Sequence, residues 1–155
     1  MGERSKGPVT TKGRIAGAVA AAFVVSQILA IVVHGFLLDA DYAPFRGSLL
    51  RAQASWQMLL LPASHLLFIA ALVWIFGRVD YRGGVLAQGT KLGLLGWVAG
   101  QAPLWLLWYA EQPWPGSLVI KQLGLELVSS LILGVTIAAV ARRPSRRGIE
   151  AGLQT

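Results

Sequence analysis

Apolar residues in this chain of 155 residues fall into four long stretches, which short polar connections separate. Each stretch is long enough to cross a hydrocarbon core of about 30 Å, which needs about 20 helical residues. Such continuous runs exclude the alternating pattern of a membrane barrel, and only helices then satisfy the backbone in lipid. We therefore expect an all-α fold, an integral membrane four-helix bundle formed by residues 14–141. The predicted spans are 15–38, 56–77, 86–110 and 117–141.

The basic residues indicate how this bundle lies in the membrane. Eleven of the fourteen Lys and Arg residues fall in or beside the predicted tails 1–13 and 142–155, or beside the connection between the second and third spans. The other side has only Arg46, Arg51 and Lys121. Because Lys and Arg collect on the cytoplasmic side, we expect both termini there. The first apolar run is far longer than that of a signal peptide, so we expect this helix to remain uncleaved.

The composition excludes several classes of protein. Charged residues make up 14% of the chain, against about 25% in ordinary soluble domains, so a soluble enzyme is not expected. The absence of cysteine excludes thiol catalysis, disulfides and thiolate metal sites. The net charge of +7 comes from bases at the ends of apolar runs, which favours the lipid bilayer as partner and not nucleic acid. Because no HExxH, GxSxG or Ser-x-x-Lys pattern occurs, we expect no enzyme and no cofactor.

A stripe of glycines predicts where the third span packs. Gly89, Gly93, Gly96 and Gly100 are spaced by four, three and four residues, which places them on one face of a helix. Small residues let helix backbones approach closely in membranes. The stripe therefore predicts either a tight contact within the bundle or the seam of a homodimer.

Polar side chains inside the spans are the candidate functional residues, because they are costly in lipid and usually face the bundle interior. Glu126 lies about 14 Å into the fourth span, near the bilayer midplane. Gln122 and Ser129 lie on the same face of that helix. His65 has the matching depth in the second span, which predicts a hydrogen bond to Glu126 that either fixes packing or carries protons. Lys121 lies on another face and is expected to extend toward the membrane surface.

Other polar residues extend this set or suggest other chemistry. His34 near the outer end of the first span and Gln101 in the third are expected to add to an internal hydrogen-bond network. The two histidines could be axial haem ligands, but the predicted offset of about 10 Å in depth excludes a shared iron. Asp39 and Asp41 lack the further oxygen ligands of a calcium site, and so predict a solvated loop. No metal site is therefore expected.

Several local patterns occur together in the chain. They are His34-Gly-Phe-Leu-Leu with Tyr42 soon after, Trp74-Ile-Phe, Gln88-Gly-Thr-Lys-Leu-Gly, and Tyr109 followed by Pro113-Trp-Pro and Lys121-Gln. This set resembles an uncharacterised family of small four-helix bacterial inner-membrane proteins, over residues 30 to 141. The resemblance implies the fold and a location in the bacterial inner (cytoplasmic) membrane. It implies no catalytic or binding residue.

Two classes of function follow from these features. The first is a non-enzymatic accessory or interaction protein, whose partner is a second copy of the chain or another membrane protein. The second is a small oligomeric carrier or proton-coupled transporter that uses Glu126 and His65. Four helices leave little room for a complete alternating-access pathway, which is why the second class requires an oligomer. A hydrated cavity at Glu126 favours transport, and a dry hydrogen bond favours packing.

Overall fold

The structure is a computed structural model, which describes residues 12–50, 55–78 and 83–141. These residues are helical apart from short connections. The elements are α1 (Lys12–Val32), a π-helix (Val33–Leu37), α2 (Asp39–Tyr42), a 3₁₀ turn (Ala43–Phe45), a 3₁₀ turn (Trp56–Leu59), α3 (Leu60–Phe76), α4 (Val85–Gly96), a second π-helix (Trp97–Gln101), α5 (Ala102–Glu111) and α6 (Gly116–Ala141). The predicted C-tail 142–155, residues 1–11 of the predicted N-tail, and Arg51 and Arg82 lie outside the described residues.

Three helices in the described chain are long and apolar enough to cross a membrane. They are Lys12–Leu37 with a mean hydropathy of 2.4, Trp56–Phe76 with 2.2, and Gly116–Ala141 with 2.1. They agree with the predicted spans 15–38, 56–77 and 117–141 to within a few residues. These helices indicate a membrane protein, because their backbone polar groups are bonded within each helix while apolar side chains cover the outside.

The third predicted span, 86–110, differs from the other three. It is helical from Val85 to Glu111, but in three consecutive pieces, with the π-helix between α4 and α5. Pro103 is the second residue of α5, just after this π-helix, and a proline has no N–H for the carbonyl four residues earlier, so regular α-helical bonding is interrupted there. Lys91 and Gln101 lower the hydropathy of this segment further. The count of four spans therefore remains a prediction.

Helix α6 packs antiparallel to α1, and the two ends of the bundle have separate apolar clusters. We call the end where α1 begins and α6 ends the tail end, and the opposite end the loop end. The inner cluster at the tail end comprises Ala18, Ala22, Ile69, Leu72, Val73, Leu92, Leu133, Ile137 and Ala141. The outer cluster at the loop end comprises Val33, Leu38, Tyr42, Trp114, Leu118 and Val119. The polar residues of interest lie between these two clusters.

The closest helix contact in the bundle joins α4 to α6 through glycines. A Cβ atom at Gly89 or Gly93 would lie closer than 3.0 Å to the α6 backbone, and one at Gly134 would lie as close to the backbone of α4. The other two glycines of the stripe, Gly96 and Gly100, face only side-chain atoms of α3. The stripe is therefore an intramolecular contact. The alternative of a homodimer seam at Gly89 and Gly93 is wrong, because α6 already covers both.

This contact predicts opposite effects for two glycines on the same helix. Gly134→Ala inserts a methyl group between two backbones, so we expect it to cost about 1–3 kcal/mol, as overpacking does in other interiors. Gly124→Ala is the matched control, because no atom lies within 4 Å of a Cβ there. Thermal unfolding in mild detergent should show a lower midpoint for Gly134→Ala and an unchanged or higher one for Gly124→Ala. Equal midpoints for the two variants would contradict the close contact between α4 and α6.

Candidate functional site

The connection after α1 folds back over the bundle and places a tyrosine inside it. Leu38 and Tyr42 are buried in the outer cluster against Leu118 on α6. Trp114 holds this arrangement from the side, with its ring 6.5 Å from that of Tyr42 and 5.2 Å from that of Phe45, both edge to face. Such pairs add to the burial of the rings themselves. The loop end is thereby fixed onto α6 one turn above the polar residues of that helix.

The hydroxyl of Tyr42 and three polar side chains below the outer cluster form a closed ring of contacts, which we call the polar ring. The Tyr42 hydroxyl donates to Gln122 Oε1 at 2.8 Å, and Gln122 Nε2 donates to Glu126 Oε1 at 3.0 Å. His34 Nε2 lies 3.5 Å from the same oxygen of Glu126, and its Nδ1 lies 3.1 Å from the Tyr42 hydroxyl. The His34 and Tyr42 rings are also stacked. The polar ring thus joins α6 to the first π-helix and to α2.

A second, smaller group of polar contacts involves the other histidine. Gln27 Nε2 lies 3.2 Å from His65 Nδ1 and donates to Ser26 Oγ at 3.3 Å. The Ser26 hydroxyl in turn donates to the carbonyl of Phe23 at 2.8 Å. Because the Gln27 amide nitrogen is a donor, His65 Nδ1 is the acceptor, and His65 is the neutral tautomer with its proton on Nε2.

Both groups of polar residues border one cavity between the inner and outer clusters. Its volume is about 30 Å³, which is enough for one or two water molecules, since one water needs about 10–15 Å³. Its polar lining comprises Ser26, His34, His65, Gln101, Glu126, Ser129 and Ser130. Five of the six residues predicted as an intramembrane site therefore border one space. The sixth, Gln122, holds Glu126 from the polar ring.

The predicted partner of Glu126 was wrong. The sequence predicts a hydrogen bond from His65, but the residue in contact with Glu126 is His34. Counting depth from the helix end placed His34 too far out, because it ignored the loop packed above. Leu38 lies level with Leu118 in the outer cluster, so His34, four residues before Leu38 in the first π-helix, lies level with Gln122. His65 instead contacts Gln27, seven residues before His34, which agrees with the predicted offset in depth between the two histidines.

Tyr42 is the site residue that the sequence reasoning missed. It was named only within the patterns that carry the family resemblance, whereas it is buried and bonded to Gln122. Its spacing from His34 contains no helical signal, because the regular helix is interrupted at Leu38 between them. Gln27 on α1 is a further member of the polar contacts, and its contact with His65 depends on the packing of α1 against α3.

The acidic residues of the loop are also paired. Lys121 Nζ lies 2.8 and 2.9 Å from the carboxylate oxygens of Asp41, and Arg46 pairs with Asp39. Both pairs are exposed at the loop end, so Asp39 and Asp41 lie in a solvated loop and Lys121 extends outward, as predicted. The bridge from Asp41 to Lys121 fastens α2 to α6 beside Tyr42. It is largely exposed, so its contribution to stability is small, about 0–1 kcal/mol.

The electrostatic surroundings keep Tyr42 uncharged. Burial raises the pKa of the Tyr42 phenol far above its ordinary value, and the charges of Glu126 and Asp41 raise the same pKa further. The phenol is therefore neutral throughout the physiological range and keeps its single hydroxyl proton for donation.

Both π-helices contribute side chains to the lining of the cavity. The first contains His34, and the second contains Gln101 and Trp97, whose indole N–H donates to the carbonyl of Leu123 on α6 at 3.0 Å. A π-helix is rare and shifts the side chains that follow it, and such segments are frequent at functional sites. The cavity is therefore bordered by the two described segments where regular α-helix is interrupted within a predicted span.

Among the residues that the structure describes, no group of three or more His, Asp or Glu side chains could hold a metal ion. Comparison of the chain with protein-family models, with curated proteins and with solved structures gives no match. Its function is therefore argued from the polar ring and the cavity.

Proposed function

We propose that the chain is a multi-pass membrane protein with four spans and with both termini in the cytoplasm, in the inner membrane of a bacterium. The tight packing of α4 on α6 supports a fourth span over 86–110, because it aligns the interrupted segment with a helix that is long enough to cross. The antiparallel packing of α1 and α6 brings Lys12 and Ala141 to the tail end together. Eleven basic residues at or near that end favour the cytoplasmic side.

The absence of cysteine provides a direct test of this topology. Ser48→Cys adds one thiol in the exposed loop after α2, and Ala151→Cys adds one in the C-tail. A membrane-impermeant maleimide added to intact cells should label Ser48→Cys alone, and both variants should react after the membrane is permeabilised. Labelling of Ala151→Cys in intact cells would overturn the proposed orientation.

Within this topology, we propose that the protein is non-enzymatic and proton-coupled, and that Glu126 and its histidine partner take up and release the proton. The observation that carries this proposal is a carboxyl group beside an imidazole, both bordering a cavity that has room for water and several polar side chains in its lining. Ionisable residues within a span commonly mark proton pathways. The cavity volume of about 30 Å³ suits a proton and its water and is too small for an organic solute.

A second candidate is an accessory protein in which the same residues only hold the helices together. The observation that favours it is the closed form of the polar ring, whose four members satisfy one another. In this function the partner is a second copy of the chain or another membrane protein, which covers the exposed apolar faces.

Replacement of the Glu126 carboxyl group by an amide, which cannot take up or release the proton, distinguishes the proton-coupled function from the accessory function. We expect Glu126→Gln to abolish proton movement in liposomes that contain the purified protein and a trapped pH-sensitive dye. Its thermal midpoint should change little, because an amide keeps most of the contacts and a hydrogen bond in a membrane averages about 0.6 kcal/mol. Glu111→Gln is the matched control, since Glu111 is exposed at the end of α5 and should retain wild-type flux.

The opposite pattern would support the accessory function. If the wild-type protein gives no more flux than empty liposomes, the proton-coupled proposal fails. The same holds if Glu126→Gln keeps the flux of the wild type.

A further inference from the structure

The polar ring has a countable set of donors and acceptors, and this count determines how many protons it holds. We propose that His34 and Glu126 together bind one exchangeable proton. Tyr42 and Gln122 are positioning residues, because with this proton bound each contact of the polar ring joins a donor to an acceptor. The proposal deepens the proposed function, since it assigns the proton to a pair of atoms, His34 Nε2 and Glu126 Oε1.

The first step concerns the hydroxyl of Tyr42. Its single proton is donated to Gln122 Oε1, so the oxygen has only lone pairs left for His34 Nδ1. His34 Nδ1 must therefore carry a hydrogen and donate it. The nitrogen that faces Glu126 is then Nε2, and its protonation decides the charge of the histidine.

The second step concerns the contact between His34 Nε2 and Glu126 Oε1. The proton can take either of two places. If it lies on the carboxyl group, Glu126 donates it to the unprotonated Nε2. If it lies on Nε2, His34 is an imidazolium that donates to a carboxylate. These two arrangements contain the same number of protons, one more than a neutral histidine beside a carboxylate. In both, every contact of the polar ring joins a donor to an acceptor, and the pair has no net charge.

Other proton counts break the polar ring. Without the extra proton, a bare Nε2 faces a carboxylate, or else His34 takes its hydrogen on Nε2 and draws the Tyr42 proton away from Gln122. With a second extra proton, an imidazolium lies in the bundle without a counter-charge. Unpaired polar groups and uncompensated charges are both costly in a membrane interior.

The neighbouring groups on other elements are neutral or paired, so they do not compete with His34 and Glu126 for the proton. From α3, His65 accepts from Gln27 and is the neutral tautomer. Toward α2, the charges of Asp41 and Lys121 compensate each other at 2.8 Å. The second π-helix contributes Gln101, which has no charge. The proton therefore remains with His34 and Glu126.

Spectroscopy of the whole protein in lipid nanodiscs tests this directly. The chain has two histidines, so ¹⁵N-histidine NMR with His65→Gln as the assignment variant resolves His34. Infrared spectra report the protonated carboxyl of Glu126 as the band that Glu126→Gln removes and Glu111→Gln keeps. We expect hydrogen on His34 Nδ1 at all pH values where the ring is intact. We also expect His34 Nε2 and Glu126 to lose one proton between them in a single step.

Loss of one member of the polar ring should lower the affinity of the His34–Glu126 pair for its proton. Tyr42→Phe removes the donor to Gln122 and the acceptor for His34 Nδ1, so we expect proton affinity to fall by about three- to tenfold. The midpoint of the joint step then moves to lower pH by about 0.5–1 unit. Tyr109→Phe is the control, since Tyr109 is exposed on α5 and should leave the midpoint in place.

The wild-type spectra decide the inference even if a variant fails to fold. A His34 that carries hydrogen on Nε2 alone, or two separate steps for His34 and Glu126, would overturn it. Its failure differs from failure of the proposed function. One joint step without liposome flux leaves a proton-binding site that carries nothing, whereas flux without a joint step leaves a proton path with another binding atom.

Discussion

Water is scarce inside a bilayer, so a polar side chain there must find its partners within the protein. Glu126 imposes this requirement on the middle of α6. The groups that satisfy it are Gln122 on the same helix, His34 in the first π-helix and Tyr42 at the end of α2. The loop after α1 consequently folds inward over the bundle and not outward into solvent. The outer cluster and the aromatic packing of Trp114 hold it in that position.

The glycine contact between α4 and α6 provides the space for this arrangement. Close approach of two backbones at Gly93 and Gly134 places the second π-helix against α6, where Trp97 donates to Leu123. Gln101 on this π-helix lines the same cavity as His34. Both interruptions of regular helix thus serve the same cavity, whereas the uninterrupted segments on the tail side form its apolar floor.

The size of the cavity relates the structure to its chemistry. A space of about 30 Å³ has room for water but not for an organic solute, and its ionisable neighbours are two imidazoles and one carboxyl. Imidazole and carboxyl groups are the side chains that most often transfer protons in proteins. The closed polar ring adds a preferred number of protons to that site. Packing and proton binding are therefore two consequences of the same four contacts.

The sequence alone determined the three apolar helices, the antiparallel order of the spans and the set of polar residues at the centre, because helix length, charge placement and burial cost act along the chain. It also indicated that Gly89 and Gly93 lie at a close helix contact, although it left open whether the partner helix belongs to the same chain. The tertiary structure decided which histidine contacts Glu126. That depends on how the loop after α1 packs against Leu118, and counting residues from a helix end cannot show how deeply a loop is buried. The role of Tyr42 has the same origin, since it is set by contacts between residues distant in the chain. The division of the third span is different, because it accompanies Pro103 and is a local effect of the sequence.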